Sequence, residues 1–221
     1  MTHGLVDDAS PVDCTPVAVA EWSQHLQHKL FALEAHLDDS WRVLVGKRWP
    51  ALAQVPDGRL QGRLLGTLLL RRCRAVPSAL RLAAPEIRLC LLERTNALRS
   101  LAVLALVRRP GALRCCIDRG AKAALHDALG PLLGPLEGLS GSGRPVDADA
   151  AGWSPLHWAC LGYVDWLKLL QPEDELFKRL VRLSLPARLL DMRVRRRAAP
   201  PELPPRQALQ VLKDAEAHWP C

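Results

Sequence analysis

Apolar residues recur at helical spacing between Pro85 and Arg109, and this stretch has the strongest pattern of the chain. Pro85 and Glu86 are typical of a first helical turn. The repeating positions are Leu91, Leu92, Thr95, Leu98, Leu101, Ala102 and Ala105. Residues 101–107 are apolar on nearly every side, which is typical of a helix buried all round. We therefore predict a core helix that starts at Pro85 and stops after Arg109.

A second helix is predicted directly after the first. Pro110 and Gly111 end the first helix, with basic residues before them at the negative end of the helix dipole. Asp118 is placed to cap a helix that carries Leu125 and Leu129 and ends at Gly130. We expect this pair of helices to form the core of the fold.

The remaining pattern predicts shorter helices separated by Gly- and Pro-rich breaks. Predicted elements are a helix over 17–39, a short element over 40–50, a Leu- and Arg-rich helix over 60–76, and helices from Ser154, from Pro172 to Pro186 and over 207–219. The segment from Leu139 to Pro145 is rich in Gly and Ser and is predicted to be a flexible linker.

Composition agrees with a mainly α protein. Leu, Ala and Arg dominate and aromatic residues make up only 5% of the chain, so strand-forming residues are scarce. We predict a single multi-helix domain with irregular loops and a C-terminal Pro-rich linker plus short helix. Residues 1–16 are expected to form a flexible arm, 17–197 the helical domain, and 198–221 the linker and terminal helix.

Hydropathy, cysteine content and charge indicate the compartment and the possible partners of the protein. No apolar run approaches the roughly 18 residues that span a bilayer, and the first residues carry no secretion signal pattern. The seven cysteines follow no disulfide or Cys-x-x-Cys spacing, which predicts a reduced, cytoplasmic protein. A net charge of +7 permits a nucleic acid or an acidic protein as partner but specifies neither.

Candidate catalytic and metal-binding motifs are incomplete. His25 and His36 lie near one helix face but roughly 16 Å apart, too far to share a metal ion. The Gly-rich segment before Arg144 lacks the Lys and the preceding strand of a phosphate-binding loop. No nucleophile motif is present. We predict a protein that is not an enzyme and that takes no cofactor, metal or small-molecule substrate.

Two other functions remain as alternatives. The basic cluster Arg193–Arg197, with Arg71, Arg72 and Arg74, favours a helical nucleic-acid-binding protein, although no aromatic residues are interleaved with it. Residues 149–159, with the core Ser-Pro-Leu-His-Trp-Ala, resemble the opening of an ankyrin repeat, and residues 118–128 echo it weakly. Repeat units need about three neighbours to bury their faces, and no third copy is present.

Three segments in succession resemble a known family over roughly residues 30–190. They are His36-Leu-Asp-Asp-Ser-Trp41, then Leu113-Arg-Cys-Cys-Ile117 through Ala128-Leu-Gly130, and Leu176-Phe-Lys-Arg-Leu180 through Leu183-Ser-Leu-Pro186. Their order and spacing are similar to those of the SctK family, the accessory subunit of the cytoplasmic sorting platform of bacterial type III secretion injectisomes.

The resemblance implies a non-enzymatic scaffold at the cytoplasmic face of the secretion apparatus. It would link the cytoplasmic domain of the inner-membrane ring protein to the pod protein, and through it to the stator and ATPase. Tryptophan and arginine are favoured anchors in protein interfaces. The residues that we predict to contact partners are Trp41, Trp49, Trp153, Arg193, Arg195, Arg196 and Arg197.

Overall fold

The computed structural model describes residues 15–48, 50–72, 78–139, 141, 143–188 and 200–216. These residues are mainly helical and include no strand, so the predicted mainly α fold is confirmed. The α-helices are α1 Pro16–Phe31, α2 Leu33–His36, α3 Asp39–Arg48, α4 Pro50–Ala53, α5 Gly58–Arg72, α6 Pro85–Arg88, α7 Arg94–Val107, α8 Gly111–Cys115, α9 Arg119–Leu129, α10 Leu133–Leu139, α11 Ala148–Ala151, α12 Pro155–Trp166, α13 Glu175–Ser184 and α14 Pro205–Glu216. Short 3-10 turns follow several of them.

Helix α7 is the centre of the molecule. Every residue from 101 to 107 is buried, which confirms the prediction that this segment is enclosed on all sides. The main core gathers side chains around it from elements between Leu82 and Leu212. Because residues 101–107 present no polar face to water, the stability of this part of the helix depends on the helices that cover it.

The predicted start of this helix at Pro85 was wrong. Pro85 begins the four-residue helix α6, a 3-10 turn follows, and Leu92 is extended before α7 starts at Arg94. In a continuous helix the carbonyl of Leu92 would accept from the amide of Asn96. Here that carbonyl accepts from the buried ammonium of Lys29 at 2.5 Å. The break in the helix therefore supplies the acceptor that this lysine needs.

Helices α7 and α12 make the closest contact in the core, at Gly162. A Cβ atom built on Gly162 would lie 1.8 Å from the carbonyl oxygen of Leu101. Only glycine lets the two backbones come this near. Two fully or nearly fully buried tryptophans of α12, Trp158 and Trp166, lie on either side of this glycine in the sequence. The indole of Trp166 donates to the carbonyl of Glu86 at 2.6 Å and so ties α6 to the pair.

Two buried carboxylates bind arginines at the edges of this core. Asp165 forms ion pairs through its two oxygens, one with Arg108 and the other with Arg109 at 2.6 Å. Asp174 accepts two hydrogen bonds from Arg81, at 3.2 and 2.7 Å. Of these five side chains, all except that of Arg81 are nearly inaccessible to water. Removing one partner from such a pair leaves a buried charge uncompensated and costs about 3–5 kcal/mol.

The C-terminal segment packs onto the helical domain. Its helix α14 places Ala208, Leu209 and Leu212 in the main core, against α7. The chain before it is fixed to Arg108, whose Nε donates to the carbonyl of Leu203 at 2.9 Å and whose carbonyl accepts from Glu202. Residues 200–216, within the predicted linker and terminal helix, thus pack on the helical domain in this structure.

The N-terminal helices have a smaller core of their own. The predicted helix over 17–39 breaks at Ala32, whose φ and ψ of −110° and 37° are not helical. After the break, Leu33 and Leu37 are both buried. They form a cluster with residues of α4, α5 and α13, namely Leu52, Leu65, Leu176 and Leu180. Helix α13 therefore joins the N-terminal helices to the rest of the domain.

The second predicted helix is confirmed as α9. The carboxylate of Asp118 accepts from the amide of Ala121 at 2.6 Å, and Leu125 and Leu129 are buried. Gly130 ends the helix with a φ of 56°, a conformation that favours glycine. In the segment predicted to be a flexible linker, the carbonyls of Gly141 and Gly143 accept hydrogen bonds from Arg114.

The close crossing at Gly162 generates a stability prediction. Replacing Gly162→Ala forces a methyl group against the Leu101 carbonyl, and overpacking of this kind costs about 1–3 kcal/mol or more in the free energy of unfolding. Chemical denaturation followed by circular dichroism measures the loss. The matched control is Gly138→Ala in α10, where no atom lies within 4 Å of the added Cβ and stability should be kept. Equal stability of the Gly162→Ala variant and wild type would contradict the described crossing.

Candidate protein-binding surfaces

Trp41 connects the start of α3 to the end of α13 by a hydrogen bond. Its indole nitrogen donates to the carbonyl of Leu185 at 2.7 Å. The guanidinium of Arg182 lies over the indole ring, 4.6 Å from its centroid, which is within the range of a cation–π interaction. The same guanidinium donates to backbone carbonyls just after α13. Trp41 is half-buried, so one part of its ring serves this internal contact and the rest reaches the surface.

The residues before Trp41 bind the same stretch of chain. The amide of Asp38 donates to the carbonyl of Leu183 at 2.9 Å, and the hydroxyl of Ser40 accepts from the amide of Ala187 at 2.8 Å. The carboxylate of Asp38 also pairs with Arg94 at the start of α7, at 2.6 Å. We call this contact between residues 38–41 and 183–187 the Trp41 junction. It brings together two of the three segments that carry the family resemblance.

Trp153 belongs to a cluster at the start of α12. It is 9% exposed, stacks on the ring of His157 and packs at a tilt against Trp158. Ser154, predicted to cap α12, forms a hydrogen bond of 2.8 Å with the Nδ1 of His157, and its hydroxyl makes no cap hydrogen bond. The Ser-Pro-Leu-His sequence thus produces a local Ser–His contact at the helix start. Little of Trp153 is left for a partner.

The structure places only part of the predicted partner-contact set. Trp41 and Trp153 both make extensive contacts within the domain. The other predicted residues lie outside the described part of the chain, namely Trp49, Arg193, Arg195, Arg196 and Arg197. A role for any of them in partner binding stays a prediction.

The outer face of α5 was not predicted from the sequence. Leu60 and Leu64, four residues apart, are exposed there, and the arginines Arg59 and Arg63 repeat at the same spacing. Phe31, at the end of α1, lies beside this face and is 60% exposed. The signal available in the sequence was a predicted helix that carries arginines and leucines but no acidic residue. We call this group, together with the exposed Arg71, the α5 face.

Lys29 is a charged side chain in an apolar setting. It is 2% exposed, and its described hydrogen-bond partner is the carbonyl of Leu92. Burial lowers the pKa of Lys29 from 10.5 to about 8, against an opposing effect of nearby Cys90 and Glu93. Burial also raises the pKa of Cys90 to about 12, so this thiol is neutral at physiological pH. A nucleophilic cysteine needs the opposite shift.

Two other kinds of site are absent from the described residues. None of the helices described is long and apolar enough to cross a membrane. In the same ranges, no group of three His, Cys, Asp or Glu side chains is arranged to hold a metal ion. The four cysteines that the structure describes are free thiols, of which Cys115 and Cys116 are neighbours in sequence.

Comparisons with protein families, with curated proteins and with solved structures found no match for this chain. The resemblance to the SctK family rests on the residues that carry it and stays a prediction.

The burial of Lys29 generates a prediction about pH. The pKa of Lys29 is lower in the folded protein than in the unfolded chain. Between about pH 8 and 10.5, the unfolded chain therefore keeps the proton that the folded protein has lost. As pH rises through this window, Lys29 destabilises the fold less. The stability of Lys29→Met relative to wild type should therefore fall by about 3 kcal/mol between pH 7.5 and 10.5. Urea denaturation at several pH values measures it.

The exposed Lys47 provides the matched control for this experiment. The difference in unfolding free energy between Lys47→Met and wild type should stay nearly constant over the same range. A constant difference for Lys29→Met as well would show that Lys29 is not buried as a charge in the folded protein.

Proposed function

We propose that this protein is a non-enzymatic scaffold subunit of a type III secretion sorting platform, similar to the SctK family. In this role it connects the cytoplasmic domain of the inner-membrane ring protein to the pod protein, and through the pod protein to the stator and ATPase. It works at the cytoplasmic face of the membrane, held there by its partners. The role needs no cofactor, no bound nucleic acid and no small-molecule substrate.

The Trp41 junction is the observation that carries this proposal. The resembling segments at 36–41 and 176–186 are far apart in sequence, and each is degenerate when taken alone. In the structure their residues meet through two hydrogen bonds, from the amide of Asp38 to the carbonyl of Leu183 and from the indole of Trp41 to the carbonyl of Leu185. A third hydrogen bond joins Ser40 to Ala187, the residue directly after the second of these segments. Residues that depend on one another for folding are expected to occur together in the sequences of related proteins. Their contact supports treating the succession of segments as one pattern rather than as separate coincidences.

The remaining resembling segment, Leu113 to Gly130, supports the same view. It covers the end of α8 and all of α9, and it supplies Cys116, Leu125 and Leu129 to the main core. The three segments thus occupy positions on which the helical domain depends for its packing. A resemblance confined to surface loops would carry less weight, because loops vary freely among related proteins.

The proposal is tested by recovering partners from the native host. The full chain, tagged and expressed at its normal level, is purified with and without nuclease treatment. Companion proteins in the treated sample are identified by mass spectrometry, and nucleic acid is measured in the untreated sample. The proposal predicts the ring, pod and ATPase proteins of an injectisome. Recovery of nucleic acid, or of one unrelated protein, would overturn it.

A folding-deficient variant controls for adventitious binding. Leu104 is fully buried in α7, and Leu104→Asp places an unpaired carboxylate there, which costs several kcal/mol. The proposal predicts that partners bound to the native fold are lost with this variant. Proteins recovered equally with both baits are nonspecific companions.

A further inference from the structure

We propose that the α5 face is a docking site for an acidic amphipathic helix of a partner protein. The inference rests on the proposed function only in assuming that the protein binds other proteins. It names a surface and the chemistry of its occupant, neither of which the resemblance supplies.

The α5 face combines exposed apolar surface with positive charge. Phe31, Leu60 and Leu64 are 60%, 47% and 39% exposed. Leu60, Leu64 and Arg71 follow one line along the helix, and Arg59 and Arg63 lie beside it on the side of Phe31. The line from Leu60 to Arg71 is about 16 Å long at the helical rise of 1.5 Å per residue. This length suits three turns of a partner helix.

The arginines of this face are available to a partner. In the part of the chain that the structure describes, no carboxylate forms an ion pair with Arg59, Arg63 or Arg71. The nearby carboxylate of Asp57 accepts from the backbone amide of Arg59. That of Glu34 lies against Gly62, on the opposite, inner side of α5.

The inner side of α5 is fixed, so the outer face is held in one orientation. A Cβ atom on Gly66 would lie 2.5 Å from the carbonyl oxygen of Leu30, which means that α5 packs directly on the backbone of α1. Leu65, next to Gly66, is buried in the smaller core. A rigid helix face lowers the entropy lost when a partner binds.

The position of Arg63 favours a protein partner over a membrane. Its guanidinium lies 5.8 Å from the centre of the Phe31 ring, between the apolar side chains of this face. An arginine in the middle of an apolar face would have to enter the hydrocarbon with its neighbours, at high cost. A guanidinium held against a ring is instead well placed for a bidentate contact with a carboxylate. The apolar side chains then cover the pair on both sides, as in the centre of protein interfaces.

Site-specific photo-crosslinking on the full chain tests this inference. The benzophenone amino acid p-benzoylphenylalanine replaces Leu64, and the protein is irradiated in its native host. The matched control position is Leu139 in α10, which is 38% exposed and therefore comparable to Leu64. We expect at least a tenfold higher yield of one specific adduct at Leu64, and its crosslinked peptide should be an acidic sequence with helical apolar spacing.

Charge reversal separates local from general electrostatic attraction. Arg63→Glu with Arg71→Glu should lower the yield of that adduct about tenfold. The control pair, Arg119→Glu with Arg188→Glu, changes the net charge equally on exposed residues elsewhere and should leave the yield unchanged. Circular dichroism melting confirms that each variant is folded.

The remaining outcomes overturn the inference. These are an adduct with lipid or nucleic acid, a crosslinked segment that is not acidic, a yield at Leu64 no higher than at Leu139, or an equal loss in both charge-reversal pairs. An acidic helix from a protein unrelated to secretion would support the inference and contradict the proposed function. Recovery of the sorting platform without an adduct at Leu64 would support the proposed function and contradict the inference.

Discussion

The contact between α7 and α12 at Gly162 is the constraint on which the rest of the structure depends. Residues 101–107 of α7 have no polar side, so this part of the helix forms stably only when it is enclosed. Helix α12 covers it at a distance that excludes any side chain at Gly162. This pair fixes the ends of both helices. Arg108 and Arg109 thereby come within reach of Asp165, and Arg108 in turn holds the chain that leads into α14. One close crossing therefore positions elements from both halves of the sequence.

Cationic side chains attach the peripheral helices in addition to their apolar packing. Lys29 binds the backbone at the break before α7, Arg94 pairs with Asp38, and Arg182 covers Trp41. Each of these contacts depends on the position of one cationic side chain. The N-terminal helices thus add a smaller core and several directional contacts to the central pair. This arrangement suits a scaffold, because it presents rigid outer faces such as that of α5 on a stable centre.

The sequence was sufficient to predict the fold class and the buried helix, because both follow from local signals. Residues 101–107 repeat apolar side chains on all sides, and Asp118 and Gly130 mark the limits of α9. The break at Leu92 could not be predicted, since the side chain that binds its free carbonyl is a lysine 63 residues earlier in the chain. The α5 face was missed for a similar reason. A leucine at helical spacing indicates a core position until its packing is known, and Leu60 and Leu64 are exposed and belong to neither of the two cores described.

Native-state hydrogen exchange on the full chain tests most directly whether the α7–α12 pair is the centre of the fold. If it is, amides of residues 101–107 and of α12 near Gly162 exchange only through global unfolding, with the largest protection in the molecule. Amides of α1 and α5 then exchange through smaller openings that leave the pair intact. Faster exchange in α7 than in α1 would contradict the account, because the N-terminal helices would then be the more stable unit.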